Sequence, residues 1–597
     1  MGYRLEAGRP FSRSDAKPYA VLDIETDGLR GPLLYWTATC ECPGDHFQDG
    51  TTADSLWAWM IRHESRDHAN RDHVWWAHNG GEYDYVYLFE SMKVDAAARE
   101  AVIHPVMSGE RMIGARITHA KHRIDIRDSF ALMPASLASL AAQLSPELPK
   151  LDIGLTRGVT FDPADAEHRA YARRDVEALL AVLQRFRAIL AERFGGTLPS
   201  WSAAGTALRA WQQTLGPDVS YSPGYHRADS LARAGYYGGL VHPGDVLPHR
   251  DVATVDANAM YPSTMRSGGV PAGWSVPVKR FDPVRPGIYL VDVDVPLSQP
   301  FTFIPYRDPT GALAWPTGTF PTVLTSIEIT AARARGITVN VHSGVVWARL
   351  DHPFDAYVNL IEAMRAEGGA LSVVGKIMGN GLYGKFGTRP EQGEWAVADL
   401  RPGPDWFPAS DRLDMDDPEA DDLAGLWRRT VTIKAPYLLP HWAAWVTAGA
   451  RLALLTACEA IGAESVIYTD TDSVTAPRAL IDAAASRGAL TIGSAFGQWK
   501  LEAVWHSYRV FAPKVYRGVT MTGKRVRKAK GIPARLRAAA FGHLEAAVGW
   551  DSPNAALQVL RGATMTTPRD RRLSSMGNSL GWRAADDGTV RPVHLSG

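Results

Sequence analysis

Apolar and acidic positions alternate along several short stretches of this chain, as they do in strands that carry carboxylates on one face. In Tyr19-Ala20-Val21-Leu22-Asp23-Ile24-Glu25-Thr26, Leu22 and Ile24 fall on one face and Asp23 and Glu25 on the other. Asp27-Gly28 then closes the strand as a turn. A second apolar run, His73 to Ala77, leads into His78-Asn79-Gly80-Gly81-Glu82-Tyr83-Asp84 and a helical segment from Tyr85 to Met92. Tyr171 and Asp175 are four apart and share one face of a helix that continues through Val176, Leu179 and Val182.

Farther on, Ala253-Thr254-Val255 delivers Asp256, and Val466-Ile467-Tyr468 delivers Asp470-Thr471-Asp472-Ser473 before Val474 resumes the β-prone pattern. If 466–474 is one strand, Asp470 and Asp472 share a face about 6.6 Å apart. The same four residues, Asp470 to Ser473, suit a β-turn equally well. On a buried face either arrangement needs a compensating positive charge, and a divalent cation is one source. Between these acids, Lys376, Asn380 and Tyr383 fall at i, i+4 and i+7, one face of a helix. Gly235-Tyr236-Tyr237-Gly238-Gly239 lets backbone approach a phosphate chain closely, or is an ordinary turn.

Composition narrows the class. With 597 residues, 46% hydrophobic and 21% charged, the chain is expected to fold into several domains of an ordinary globular protein. Lys+Arg 64 balance Asp+Glu 64, but the charge is unevenly spread. Residues 514–583 are strongly basic, including Lys514, Lys524, Lys528, Lys530, Arg535, Arg537 and Arg569, which is a footprint for phosphate backbones. The three cysteines, Cys40, Cys42 and Cys458, offer neither a disulfide framework nor a four-ligand zinc set by spacing. A cytoplasmic monomer without a signal peptide or membrane span is expected.

Taken in order, these motifs resemble those of the family B DNA polymerases. Asp-x-Glu, Asn-x3-Tyr-Asp and Tyr-x3-Asp resemble the motifs of the DEDDy 3′–5′ exonuclease. Asp256 to Pro262 resembles motif A, with Ala259 and Met260 where Ser and Leu are usual. Lys376 to Gly384 resembles motif B, with Gly381 in place of Ser. Tyr468 to Ser473 resembles motif C, and Lys514-Val515-Tyr516 the Lys-x-Tyr motif. The compact length is similar to that of the protein-primed subgroup of phages and linear plasmids.

The resemblance implies an α/β (α+β multidomain) fold, with a ribonuclease-H-like exonuclease domain and a right-hand polymerase of palm, fingers and thumb. It implies a flexible leader at 1–18, the exonuclease at 19–195, palm at 196–267 and 435–531, and fingers at 351–387. Two insertions fall at 268–350 and 388–434, and the thumb at 532–597. Within the first insertion, 315–328 reads as a loop followed by a helix. The second carries an acidic run at 411–422, expected to face away from phosphates.

By the same resemblance Asp256 and Asp472 bind metal with Asp470 beside them, and Asp23, Glu25, Asp84 and Asp175 bind metal in the exonuclease. Tyr171 would position water, and Lys150 would lie near the scissile phosphate. Tyr261, Lys376, Asn380 and Tyr383 would contact the dNTP. Asn79, Tyr83, Tyr236, Gly238, Gly239, Thr471, Lys514, Tyr516 and Lys528 would contact DNA. The implied cofactor is Mg²⁺, two ions per active site, with Mn²⁺ able to substitute. The implied partners are primer-template DNA, dNTPs, a terminal protein whose hydroxyl primes synthesis, and a single-stranded DNA-binding protein. Two alternatives stay open: a compact polymerase using ordinary nucleic-acid primers, and a non-catalytic DNA-binding protein with a polymerase fold.

Overall fold

The computed structural model describes residues 17–529, apart from 28–30, 45, 66–72, 98–100, 110, 120–121, 155–159, 217–219, 222–225, 245–246, 300, 309–310, 312, 399–400 and 409–425. It also describes residues 5–6, 541, 582–584, 590–592 and 594–595. The acidic run 411–422, Lys530, Arg535, Arg537, Arg569 and most of 532–597 therefore lie outside the described residues, as does most of the leader. Contacts divide the chain into two units: 5–220 with 359–438, and 221–358 with 439–597 plus the first four residues.

In the first unit the run Tyr19–Thr26 forms a strand buried at every position except Asp23 and Glu25, as the alternation demands. It lies in a ten-stranded mixed sheet, pairing in parallel with Val74–Ala77 and antiparallel with Leu33–Cys40. One face carries the 28-residue helix Ala166–Arg193, started by Asp165, whose side chain accepts from the amides of Glu167 and His168. The sheet continues into a late segment of the chain. Glu391–Val397 pairs with Leu426–Thr432 and, through Val397 and Ile103, joins the edge of Ala101–Ser108. Both flanks of the acidic run are thus strands of the first unit's sheet.

The second unit is built on a seven-stranded antiparallel sheet, in the order Val241–Pro243, Tyr468–Asp470, Ser473–Pro477, His249–Ala257, Trp499–Ala512, Val515–Thr520, Arg525–Ala529. A five-stranded sheet of Val270–Val278, Thr338–Asp351, Gly287–Val295, Thr317–Thr325 and His594–Leu595 shares its core, where Val255, Val474, Tyr289, Trp315 and Leu454 meet. The loop expected at 317–325 is therefore a strand. Its alternation was hidden by Gly318 and Pro321, and pairing with Gly287–Val295 overrides their weak β-propensity. The helix expected after it runs Ser326–Ala334, with a Thr325/Glu328 capping box.

The 22-residue helix Pro440–Ile461 is long and apolar enough to cross a bilayer by length and composition, yet 67% of its apolar window is buried within the fold. At its centre Arg451 is 1% exposed and ion-paired to Glu328, equally buried, at 2.6 Å. Arg451 Nη1 also donates to the carbonyls of Tyr237 and Gly238, both at 3.0 Å. One guanidinium thus holds two helices and the Tyr-x-Gly-Gly loop together. Removing one partner of a buried pair leaves an uncompensated charge and costs about 3–5 kcal/mol. Arg451→Met should therefore lower the urea midpoint markedly, and adding Glu328→Met should recover most of that loss. An unchanged midpoint in the single variant would rule out this role.

Candidate active sites

The chemistry of the second unit is set by two tight hairpins. Tyr468–Asp470 and Ser473–Pro477 pair with Asp470 opposite Ser473, so Thr471 and Asp472 form a two-residue turn. A single strand with both acids on one face is thus corrected: Asp470 ends a strand and Asp472 sits in the turn. Such turns favour a left-handed first residue, and Thr471 has φ +67°. The Asp472 carbonyl accepts from the Ala257 amide at 2.8 Å, locking the turn to the strand that ends in Asp256. The second hairpin joins Trp499–Ala512 to Val515–Thr520 and places Lys514, φ +62°, at its turn.

These turns open on a cleft of about 980 Å³ lined by Asp256, Asp470, Thr471, Asp472, Lys514, Tyr516 and Lys528. Its wall is aromatic: Tyr516 lies 5.8 Å from Tyr468 and 5.4 Å from Tyr508, ring to ring. Burial, together with the Asp256 and Asp470 charges, pushes the Asp472 carboxyl up to about 6. Lysines offset the crowding. Lys514 Nζ bonds Asp470, the Lys514 amide donates to the Tyr468 hydroxyl at 2.8 Å, and Lys500 Nζ lies 3.0 Å from Asp256. In the sequence Lys500 is simply one lysine on a strand. Only its register opposite Asp256 gives it meaning.

Four other candidates of this unit do not line the cleft. Tyr261 stands in the first turn of Met260–Ser267 and packs half-buried on the core, while Tyr236 packs on a neighbouring apolar cluster. A Cβ on Gly239 would come within 2.6 Å of the Thr471 side chain, and the Thr471 amide donates to the Leu240 carbonyl at 2.9 Å. The close approach that requires Gly239 is therefore to the acid-bearing turn, rather than to a phosphate chain. Gly238 faces open space.

In the first unit the carboxylates of Asp23, Glu25 and Asp175 lie within 4.8 Å of one another. Asp84 opens the helix Asp84–Ala97, and its Oδ1 accepts from the Ile24 amide at 2.9 Å, between the two strand acids. Lys150 is ion-paired to Asp175, and its Nζ stands 4.7 Å from the centre of the Tyr171 ring. Tyr83 bonds Thr26 through the two hydroxyls. Asn79 is held by Arg111, whose Nη2 donates to its Oδ1 at 2.8 Å, and by the buried Asp128, which accepts from its amide at 2.9 Å. Arg111 and Asp128 are supporting residues that no motif marks.

Lys376 and Asn380 are exposed on the helix Gly369–Gly381, and with Gly381 they border a hollow of about 450 Å³. The single helical face expected to include Tyr383 is interrupted at Leu382, and Tyr383 begins a separate short helix.

Burial and the Asp175 charge push the Asp23 carboxyl up to about 7, and burial and Asp23 push Glu25 up to about 9. Asp175 is raised by burial, and its Oδ1 is buried with no hydrogen bond. Such a set fits a divalent cation. Because these folded-state values exceed the unfolded ones, the native protein holds protons that the unfolded chain has lost. Stability should therefore fall as pH rises from about 5 to about 9 when chelator is present. Melting curves across that range should show the fall in wild type and a shallower one in Asp23→Ala/Glu25→Ala. Equal slopes would contradict the assignment.

Comparison with known proteins places these features in context. The family described as "DNA polymerase type B, organellar and viral" matches residues 164–403. A DNA-directed DNA polymerase of Enterobacteria phage PRD1 is 26% identical over 514 residues, covering 83% of this chain and 82% of that protein. A probable DNA polymerase of Neurospora intermedia is 27% identical over 247 residues, 37% of this chain and 24% of its own length. The fold is similar to that of phage phi29 DNA polymerase solved with primer-template DNA and incoming nucleotide substrates. That match has a TM-score of 0.67 and 16% identity, and it covers 88% of this chain and 94% of that one.

Proposed function

We infer that this chain, a family B DNA polymerase, extends a primer on a DNA template in the cleft of its second unit and proofreads 3′ ends at the carboxylates of its first. The observation that carries the reading is the meeting of Asp256, Asp470 and Asp472 at two strand ends and one turn, with Lys514 and Tyr516 in the same cleft. Enzymes of this family use divalent metal ions. We assign Mg²⁺, two ions per site, with Mn²⁺ as a substitute. Asp256 and Asp472 would hold the polymerase ions, and Asp23, Glu25, Asp84 and Asp175 the exonuclease ions. When bound, such ions stabilise charge on the attacking and leaving oxygens of phosphoryl transfer.

The residues then take separate roles. Lys514 leaves Asp470 for the phosphate of the primer end, while Tyr516 holds the terminal nucleotide on the aromatic wall. Thr471 and Lys528, with Tyr236 and Gly238, contact the DNA backbone, while Gly239, also expected there, instead seats the Thr471–Asp472 turn. Tyr261 stacks under the incoming sugar. Lys376 offsets the triphosphate charge as a point cation, beside Asn380 and Tyr383. In the exonuclease, Asn79 and Tyr83 hold the 3′-terminal nucleotides, and Tyr171 orients the attacking water. Lys150, held against Asp175, is positioned for the scissile phosphate.

Asp472→Ala should reduce primer extension ~10²-fold or more, the scale of losing one stabiliser of developing charge, with the melting profile retained. Normal incorporation would overturn the assignment and favour a non-catalytic role. Asp23→Ala/Glu25→Ala should abolish degradation of a mispaired 3′ end while extension continues.

Priming by a terminal protein is the reading for initiation, supported by the likeness to the phage PRD1 and phi29 polymerases over most of the chain. Incubation with labelled dATP and the cognate terminal protein should yield a covalent protein–nucleotide adduct. Extension of DNA primers with no adduct would instead mark a polymerase that uses nucleic-acid primers alone.

A further inference from the structure

Away from the carboxylates, the first unit gathers a second set of ligating side chains. Cys40 ends the strand Leu33–Cys40, and Cys42 follows in the bend beyond it. His63 lies in the last turn of the helix Ala53–Ser65, and His73 immediately precedes the strand Val74–Ala77. One ligand atom from each of the four lies within 4.8 Å of all the others. A tetrahedral zinc site with Zn–S of about 2.3 Å and Zn–N of about 2.0 Å spaces its ligand atoms roughly 3.3–3.8 Å apart. The observed cluster contracts to that size by small side-chain adjustments. Cys42 Sγ already stands 3.0 Å from His73 Nε2.

Two further observations point to a ligand. His73 directs its other nitrogen, Nδ1, to the Glu64 carboxylate at 3.2 Å, and both side chains are 1% exposed. A carboxylate behind a histidine fixes the tautomer that presents Nε2 to a metal and raises its basicity. Glu64 is itself held by the His73 amide at 3.2 Å and by Trp75 Nε1 at 2.9 Å, so the support is rigid. The cysteines, moreover, are free thiols rather than a disulfide, and Cys40, His63 and His73 are buried. Two thiols and two imidazoles match zinc rather than the hard, oxygen-preferring ions of the carboxylate sites.

We propose that Cys40, Cys42, His63 and His73 bind one structural zinc ion that joins the strand Leu33–Cys40, the helix Ala53–Ser65 and the strand Val74–Ala77. Four protein ligands leave no open position, so the ion is a staple and not a catalyst. Its place in the sheet gives it a consequence. Leu33–Cys40 pairs residue by residue with the strand of the exonuclease acids, Thr37 opposite Asp23 and Tyr35 opposite Glu25. Val74–Ala77 flanks that acid-bearing strand on its other side. The ion therefore ties together both neighbours of the strand that carries Asp23 and Glu25.

The test is metal analysis of the full-length protein, dialysed without chelator. One zinc per chain is expected in wild type and in Asp23→Ala/Glu25→Ala, which removes the competing carboxylates, and none in Cys42→Ser. Because Cys42→Ser can fail to fold, the wild type is also exchanged with Co²⁺. A thiolate-to-cobalt charge-transfer band in the near ultraviolet, with zinc released on titration by a mercurial thiol reagent, supports the site independently of any variant. The proposal is overturned if wild type carries no zinc and shows no such band with Co²⁺. It is equally overturned if the zinc is lost from Asp23→Ala/Glu25→Ala and kept in folded Cys42→Ser.

Discussion

Crowded carboxylates are the constraint on which both units depend. Two like charges about 4 Å apart repel by about 4 kcal/mol at an effective dielectric near 20, and each site gathers three or more of them. The chain answers in the same way twice. Lys150 closes on Asp175 in one unit, while Lys514 and Lys500 close on Asp470 and Asp256 in the other. Neither answer is complete: Asp23, Glu25 and Asp472 still have raised carboxyls. The residual charge suits each set to a divalent cation.

Holding such groups requires rigidity just outside the sites, and much of the fold serves that end. The Thr471–Asp472 turn is pinned by the Ala257 amide and the Leu240 carbonyl, and packed from beneath by Gly239. Behind the glycines stands Arg451, whose bonds to the Tyr237 and Gly238 carbonyls fix the loop to the buried helix Pro440–Ile461. Thr471 is β-branched, and its φ of +67° is an uncommon conformation for such a residue. Strain of this kind costs of order 1–3 kcal/mol and persists only where the surroundings over-determine it. Here they do.

Period-two alternation and motif order made the acids legible in the sequence: Asp23, Glu25 and Asp175 come together, and Asp256, Asp470 and Asp472 line one cleft. Less legible was everything set by partners far away in the chain. Lys500 means nothing until register places it opposite Asp256, and Arg451 sits in a helix that reads as apolar. Cys40 and Cys42 looked idle because their partners, His63 and His73, lie well outside the usual zinc spacing. The Asp-Thr-Asp stretch failed differently: turn and strand chemistry fit it equally, and only pairing of Asp470 with Ser473 resolved it. The strand at 317–325 does not read as one in the sequence because glycine and proline mask alternation that sheet pairing tolerates.

Positions 259 and 381, where the chain departs from the motifs that its sequence resembles, differ in their surroundings: packing bears on one and backbone geometry on the other. A Cβ on Gly381 would meet the Ala203 carbonyl carbon and oxygen and the Ala204 Cα at 3.2 Å, so a serine there would require the lysine-bearing helix and the helix Ala203–Thr214 to part by a few tenths of an ångström. The absence of a Cβ lets these two helices approach closely, and Lys376 and Asn380 project from the helix that gains this seat. Ala259 stands at φ +49° as the residue before the helix of Tyr261, with no side-chain hydrogen bond to cap it. Serine is favoured over alanine at such a position, because its hydroxyl can accept a bond from the first turn. The segment before the helix is tied to a neighbouring loop. Asn258, one residue earlier, bonds the Gly493 carbonyl through its side chain at 2.7 Å, and its backbone pairs with Gln498 and Gly497 at 2.8 Å each. The segment between Asp256 and Tyr261 is thus held by a neighbouring loop rather than by a bond to the helix itself.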